Sequence, residues 1–347
     1  MARRVSLETL YDPVKAEKGK PNIDVVLVHG IDGGPVKTWK DKSGVVWPQD
    51  LLPQDQPCTR VLSFGYNGDM YRNDSAAGIR DNARSLLSYL RIERKADPER
   101  QIVFIAHCLG GLIVKQALYV ARVEKPFNAI FIATRGIVFF GTPHNGTDKD
   151  RWDHIAKAYR VFDRVGWGRR SALVEAMKRD SDALADVNDK FHQLADKFAI
   201  TTFMEMRNWP GTNKTILEKA DVEMESTDAE ICPLDANHVE MCWFRKLDEM
   251  DFKCVCAAIL KKPPATQNTG APDTEKRATT TNTNTRLALA EVCVMSDAPP
   301  PMGGEGSVFA AGRITFDNFT AVRMLQQLGR GRKSADASGK SLSSPDW

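Results

Sequence analysis

The segment that most constrains the fold is an apolar strand that runs directly into a helix through a tight turn. It reads IVFIAHCLGGLIVK over residues 102–115. Ala106 and Gly110 stand two positions before and after Cys108, and both are small, as a strained strand-to-helix turn requires. Such a turn raises its central side chain above the carboxyl end of the strand, where open α/β sheets bind ligands. The segment predicts a nucleophile at Cys108; the alternative is a buried cysteine in an ordinary turn.

Strand and helix patterns alternate along residues 1–261. Short apolar or β-branched runs predict strands at 23–28, 60–64, 102–106, 137–140 and 200–204. Apolar residues at helical spacing predict helices at 82–91, 109–121 and 181–198. Because the strands read as fully buried and are separated by segments long enough for crossover helices, the sequence predicts a doubly wound α/β fold with a mostly parallel sheet.

Composition excludes several classes of function. The chain has 347 residues, and 48 basic against 45 acidic side chains leave a net charge of +3, so we do not expect nucleic-acid binding. No run of about 18 apolar residues predicts a membrane span, and the N-terminus lacks the apolar stretch of a secretory signal. The 7 cysteines are an odd number and scattered, which favours free thiols in an intracellular, cytoplasmic protein. Their spacing does not indicate a metal site, and we expect no cofactor.

The composition changes near Lys262. A Pro pair, a Thr/Asn tract at 279–285 and a Pro run at 299–301 follow. Such a segment buries too little apolar surface to offset the entropy of ordering it. Residues 262–347 are therefore predicted to form a largely disordered linker or tail, with a role in binding protein partners as one hypothesis.

A glycine-rich loop follows the first predicted strand. The residues VVLVHGIDGG occupy positions 25–34. In a sheet that carries a nucleophile at Cys108, this loop is placed to supply one oxyanion-hole amide, from Ile31, while Leu109 supplies the other. His29 is interpreted as an orienting or packed side chain rather than a proton carrier.

A histidine in a polar loop completes the pattern. His238 lies in PLDANHVEMC at 233–242, late in the chain. Histidine can take and return a proton near neutral pH. In enzymes whose nucleophile lies on such a strand-to-helix turn, the nucleophile, the acid and the histidine follow one another in this order along the chain. A surface histidine is the alternative, and the presence of the strained turn favours the catalytic role.

Together these elements make the chain resemble the α/β-hydrolase domain of the serine-active-site-containing protein family and its fungal lipase- and esterase-like relatives. The resemblance covers about Leu10 to Leu260. It rests on LYDP at 10–13, VHG at 28–30, KTW at 37–39, WP at 47–48, LP at 52–53, SFGY at 63–66, HCLGGLIVKQAL at 107–118, FFGTPH at 139–144, and His238 near Phe244. It implies the α/β-hydrolase fold with a helical lid insertion at about 147–198.

The resemblance also implies the acid and exposes one departure. FME ends a predicted strand at Glu205, which matches the family's apolar-apolar-Glu, while Glu218 and Asp235 are second and third choices. His144, in the GTPH loop, is expected to line the pocket or pack rather than to act. The family's usual nucleophile is serine, and Cys108 stands in its place. A thiolate is a reactive nucleophile, but sulfur is larger than oxygen and fits less well in a site shaped for serine. Two interpretations therefore remain: a working thiol hydrolase, or a site that binds its ligand and turns it over slowly.

The resulting functional hypothesis is an α/β-hydrolase that cleaves carboxylic or thio-esters, of lipids or other acyl compounds, through a covalent acyl-enzyme on Cys108. The alternative is a catalytically weak hydrolase fold that serves recognition or signalling. By resemblance alone, a peripheral role at mitochondrial or endoplasmic-reticulum membranes is a further expectation.

Overall fold

A computed structural model of the protein describes residues 5–68, 78–147, 172–179, 181–224 and 229–264. All of them belong to one compact unit, Met1–Pro272. The predicted tail beyond residue 264, and the predicted lid residues 148–171 and 180, lie outside the described residues.

A seven-stranded sheet forms the centre of this unit. Its strands are β1 (Ser6–Tyr11), β2 (Ile23–Val28), β3 (Thr59–Gly65), β4 (Gln101–His107), β5 (Thr134–Phe140), β6 (Ala199–Glu205) and β7 (Glu230–Leu234). They are ordered β1-β3-β2-β4-β5-β6-β7, and only the pairing of β1 with β3 is antiparallel. The chain winds outward in both directions from the β2–β4 pair, so loops at the carboxyl ends of these two strands diverge and leave a crevice.

Helices connect the strands. They are α1 (Trp47–Asp50), α2 (Leu52–Asp55), α3 (Ile79–Glu93), α4 (Leu109–Val123), α5 (Asn128–Ala133), α6 (Ala172–Glu175), α7 (Asp182–His192), α8 (Lys219–Val222) and α9 (Met250–Leu260). Short 3-10 turns lie at Lys37–Trp39, Lys125–Phe127, Ala195–Lys197 and Glu240–Cys242.

The two faces of the sheet bury separate apolar cores. Alternate residues of β2 divide between them: Val26 and Val28 pack toward α3, α4 and α7, whereas Val25 and Leu27 pack toward α9. Since successive side chains of a strand point to opposite faces, a strand buried on both faces is apolar along most of its length. This explains the apolar run at residues 25–28 of β2, which follows the buried charge of Asp24.

The predicted fold class agrees with this architecture, and all five predicted strands are present. The sequence patterns missed both edge strands. β1 reads SLETLY and is only half-buried, and β7 reads EICPL, with Pro233 in it. Proline is tolerated at a sheet edge because no further strand needs its N–H group. The helix predicted at 181–198 ends earlier, at His192, and a 3-10 turn follows it.

Candidate active site

The turn between β4 and α4 has a strained backbone at Cys108. This residue has φ +51° and ψ −122°, a conformation that residues with a Cβ atom rarely adopt. Its amide donates to the carbonyl of Phe140 (2.9 Å), which anchors the turn to β5. The side chain is 8% exposed. The predicted elbow is therefore present, and strain of this kind concentrates at functional sites.

Two glycines allow the close approach on which the elbow depends. A Cβ atom on Gly110 would lie 2.4 Å from the carbonyl oxygen of Val28, and one on Gly30 would lie 2.7 Å from Cβ of Cys108. Both distances are far below van der Waals contact. The glycines thus bring the start of α4 against the loop after β2.

A buried carboxylate holds the late histidine. His238 Nδ1 donates to Glu205 Oε2 over 2.8 Å, and both side chains are at most 2% exposed. The amide of Leu217 donates to the other oxygen of Glu205. Glu205 is the last residue of β6 and His238 follows β7, so adjacent parallel strands bring both groups to the carboxyl end of the sheet.

The surroundings of His238 favour its protonated form. Burial would lower the pKa of the imidazole, but the charge of Glu205, the hydrogen bonds with Cys108 and Glu205, and the charge of Cys108 outweigh it and raise the pKa to about 10. Because Nδ1 is bonded to Glu205, Nε2 is the nitrogen left for the thiol. The structure therefore brings together Cys108, His238 and Glu205.

The amides of Ile31 and Leu109, the predicted oxyanion donors, follow β2 and β4 respectively. Leu109 opens α4, where an N–H group has no partner within the helix. Ile31 follows β2 across the crevice from it. Within the described part of the chain, neither amide donates a hydrogen bond. Two open donors thus lie on the loops that flank Cys108.

The other candidates for the acid occupy different places. Asp235 is exposed and forms two hydrogen bonds with Arg207, at 2.8 and 2.7 Å. Glu218 caps the short helix α8, where it accepts the amide of Asp221. Only Glu205 among the three forms a hydrogen bond with His238 in the described structure.

The remaining histidines near the site are buried. His29 stacks on Tyr66 at a centroid distance of 4.2 Å, and its Nε2 accepts the amide of Tyr66. His144 contacts Phe139 edge to face. These geometries agree with the interpretation of His29 as a packed side chain, whereas His144 packs on Phe139 and also lines a cavity.

The sequence patterns did not identify His107, a further side chain that supports the site. Its Nε2 donates to the carbonyl of His238 over 2.9 Å, and the two rings lie 4.8 Å apart. Burial, with the charges of His238 and His29, keeps the pKa of His107 well below its usual range despite that hydrogen bond. A neutral donor therefore fixes the loop that carries His238. Its position directly before Cys108, at a strand end, was the available signal.

Two further observations limit the chemistry of the described residues. None of their His, Cys, Asp and Glu side chains form a group of three or more that could hold a metal ion. Over the same residues, the longest helices are too short or too polar to cross a bilayer.

Comparison with protein families places the described geometry among known folds. Residues 25–244, more than half of the chain, match the Alpha/beta hydrolase family. Protein SERAC1 of Mus musculus is 29% identical over 258 residues, which cover 66% of this chain and 36% of that protein. Protein SERAC1 of Homo sapiens is 28% identical over 264 residues, which cover 68% of this chain and 37% of that protein. The chain thus spans little more than a third of the curated relatives it matches.

Solved structures with a similar fold include the mature lipase BlEst2 of Bacillus licheniformis. It has a TM-score of 0.47 and 14% identity, and the match covers 74% of this chain and 98% of that chain. Phospholipase PlaB from Legionella pneumophila has a TM-score of 0.41 and 14% identity, over 53% and 39% of the two chains. At these identities the similarity concerns the fold alone.

Proposed function

The chain belongs to the alpha/beta hydrolase family, and we propose that it hydrolyses carboxylic or thio-esters through an acyl-enzyme on Cys108. One observation carries the proposal: His238 is held at Nδ1 by buried Glu205, and Cys108, on a strained turn, interacts with the same imidazole and helps to raise its pKa. This is the geometry of an activated nucleophile, in which a third group orients the base. The open amides of Ile31 and Leu109 add a place for the developing oxyanion.

The acylation step follows from these positions. The thiolate of Cys108 attacks the carbonyl carbon of the ester, and the carbonyl oxygen takes up the displaced electron pair. The amides of Ile31 and Leu109 stabilise that oxyanion. When the adduct collapses, the bond to the leaving oxygen or sulfur breaks, and the leaving atom takes a proton from His238 Nε2. The alcohol or thiol departs, and the acyl group stays on Cys108 as a thioester.

Hydrolysis of the thioester completes the cycle. Water attacks the acyl carbon while neutral His238 removes one of its protons. Collapse of the second adduct breaks the carbon–sulfur bond and releases the acid, and the thiolate re-forms beside protonated His238. Glu205 holds the tautomer that leaves Nε2 for these transfers and stabilises the imidazolium.

The electrostatics suit a thiol better than a hydroxyl. A serine needs a neutral imidazole to remove its proton, whereas a cysteine can rest as a thiolate beside an imidazolium. The pKa of His238, raised to about 10, favours the imidazolium at neutral pH. The positive end of α4 points at the same sulfur and adds to this preference.

The test is esterase activity of the full chain on aryl esters of short and medium acyl chains, with trapping of the acyl-enzyme by mass spectrometry. We expect Cys108→Ala to lower kcat/KM by on the order of 10³-fold or more and to abolish the acyl adduct. Cys256→Ala, which removes another buried thiol on α9, is the matched control and should keep both. Equal labelling of Cys108→Ala and the parent protein would refute the mechanism.

A binding role is the second candidate, favoured by one observation: Cys108 is nearly enclosed, at 8% exposure. The substitution Cys108→Ser distinguishes the two roles. In a working scaffold the serine variant should gain activity as pH rises, because its His238 must lose a proton before it can act. If neither parent nor Cys108→Ser hydrolyses any ester between pH 6 and 10, the recognition role is supported.

A further inference from the structure

A cavity of about 490 Å³ opens beside α4. Its walls come from α4, from the loop at residues 141–147 and from α7. Lys115, the residue of α4 that lines it, lies seven positions beyond Cys108, which is about 10 Å along a helix. Among the described residues that form its walls, none is Cys108, Glu205 or His238. The cavity is therefore separate from the reacting atoms of the proposed site.

Lys115 places a buried ammonium group on this cavity. The residue is 3% exposed. Its Nζ donates to Asn188 Oδ1 over 2.8 Å and lies 5.4 Å from the centre of the Phe191 ring. No described carboxylate lies within ion-pair distance of it. Burial lowers the pKa of Lys115 to about 7. A buried cation that has no anionic partner among the described residues is costly, and the neutral partners Asn188 and Phe191 offset that cost only in part.

His144 adds an unpartnered polar ring to the same wall. It is 1% exposed, and neither of its ring nitrogens has a hydrogen-bond partner. Burial and the charge of Lys115 hold the pKa of His144 well below its usual range, so the ring is neutral and carries one N–H donor. Buried polar groups are nearly always hydrogen-bonded, so an orphaned ring that lines a cavity is available to a polar group of a ligand.

The rest of the lining mixes apolar and polar side chains in similar proportion. Leu184, Phe191 and Met224 contribute apolar surface. The charged groups that face the cavity from the packed elements are Arg179, paired with Asp221, and the exposed Asp189 and His192 of α7. A ligand that fits such a lining has one anionic end and an apolar body.

We propose that this cavity binds a small organic carboxylate with an apolar tail, its carboxylate on Lys115 and His144 and its tail against Leu184, Phe191 and Met224. The carboxylate supplies the anion that Lys115 lacks and the acceptor that His144 lacks. A cavity of this volume lies within the usual range for small-molecule sites. The inference does not depend on ester hydrolysis at Cys108.

The test is calorimetric binding to the full chain of three probes: octanoate, octan-1-ol and inorganic phosphate. Octanoate should bind, and should bind about tenfold more tightly at pH 6 than at pH 8, because only the protonated fraction of Lys115 is competent. Octan-1-ol, which lacks the charge, should bind at least tenfold more weakly at pH 6. Phosphate, which lacks the tail, should also bind more weakly than octanoate.

Variants of the lysine separate binding from folding. Lys115→Met keeps the length of the apolar stem but removes the charge, so we expect a folded protein with a melting temperature at least equal to the parent's. Its octanoate affinity should fall at least tenfold, and its pH dependence should disappear. Lys197→Met, on the exposed 3-10 turn after α7, is the matched control and should bind like the parent. His144→Phe should weaken binding while keeping the pH dependence.

Three outcomes would overturn the proposal. The first is octanoate binding by Lys115→Met as tight as the parent's, and the second is a pH dependence that persists in this variant. The third is that the parent fails to bind octanoate more tightly than octan-1-ol and phosphate, which includes the result that it does not bind octanoate. Binding that is unchanged by Cys108→Ala, by contrast, supports a site independent of the proposed nucleophile.

Discussion

The two ends of the parallel sheet each bury a carboxylate beside a cationic or titratable group, and they use it differently. At the amino end, Asp24 of β2 is fully buried and pairs with three arginines. We call Asp24 and these three arginines the amino-end cluster. Arg60 binds both its oxygens, at 2.7 and 3.0 Å, Arg100 binds one at 3.1 Å, and Arg94 also binds one. Both carboxylate oxygens of Asp24 thus accept hydrogen bonds from guanidinium groups, whose charge is permanent.

At the carboxyl end, Glu205 holds one ring that can gain or lose a proton. We call Cys108, Glu205 and His238 the carboxyl-end cluster. Here the backbone is strained at Cys108, and two amides nearby donate no hydrogen bond within the described residues. The amino end uses regular backbone and fixed charges, whereas the carboxyl end keeps strain, open donors and a titratable group. Burial of a carboxylate therefore does not by itself indicate a catalytic role. A partner that can gain or lose a proton does indicate one.

The largest expected effect comes from Glu205→Gln. The amide cannot stabilise the imidazolium and can hold the wrong tautomer of His238, so we expect kcat/KM for ester hydrolysis to fall by on the order of 10⁴-fold. Single-turnover kinetics with aryl esters measure it. Glu218→Gln, which alters a carboxylate outside the hydrogen bond to His238, is the matched control. A loss of less than tenfold in Glu205→Gln would remove the distinction between the two ends.

The amino-end cluster should show the opposite profile, a large loss of stability with intact chemistry. Asp24→Asn leaves three buried guanidinium groups around a neutral amide, and breaking a buried ion pair in this way costs about 3–5 kcal/mol of unfolding free energy. Urea unfolding measures that loss. Activity per folded molecule should stay within twofold of the parent's. Asp97→Asn, at the exposed rim of the same cluster, should cost less than about 1 kcal/mol.

The carboxyl end was open to prediction from sequence, and the amino end was not. Cys108 lies in a pattern that spans only a few residues, and His238 stands late in the chain in the order that such sites use. Glu205 was predicted from the family resemblance of FME at the end of a predicted strand. Asp24 stands inside an apolar strand run, and its partners lie 36, 70 and 76 positions away. No periodicity encodes such long-range pairing, so the cluster emerges only from the packed structure.

Other features of the molecule also escaped prediction from the sequence. His107 bonds a carbonyl 131 residues away, and Lys115 reads in sequence as an ordinary polar position of a helix. The edge strands β1 and β7 escaped because half-buried or proline-bearing edges lack the apolar pattern of central strands. Sequence patterns thus report burial and local turns well, and contacts between distant segments poorly.

Alkaline pH should separate the two ends. The pKa of His238 is raised in the folded protein to about 10 from 6.5, so its contribution to stability is fully present below pH 6.5 and disappears as pH rises through 10. The destabilisation caused by His238→Gln should therefore shrink across that window, by on the order of 1 kcal/mol or more. The destabilisation caused by Asp24→Asn should stay constant across the same window, because guanidinium groups remain charged. Urea unfolding at both pH limits tests this, and parallel curves would contradict it.

The smallest expected effect concerns backbone strain. Glycine adopts φ +51° without a steric penalty, so Cys108→Gly should be about 1 kcal/mol more stable than Cys108→Ala, although glycine normally destabilises. The matched pair lies at the amino end of β5: Thr134→Gly should be about 1 kcal/mol less stable than Thr134→Ala, because Thr134 has φ −73° and ψ 120°, which any residue adopts, and both variants lose the same hydrogen bond to Ile130. Thermal or urea unfolding gives the two differences. The same sign at both positions would mean that the turn at Cys108 stores no strain, and that the carboxyl end differs from the amino end in its charges alone.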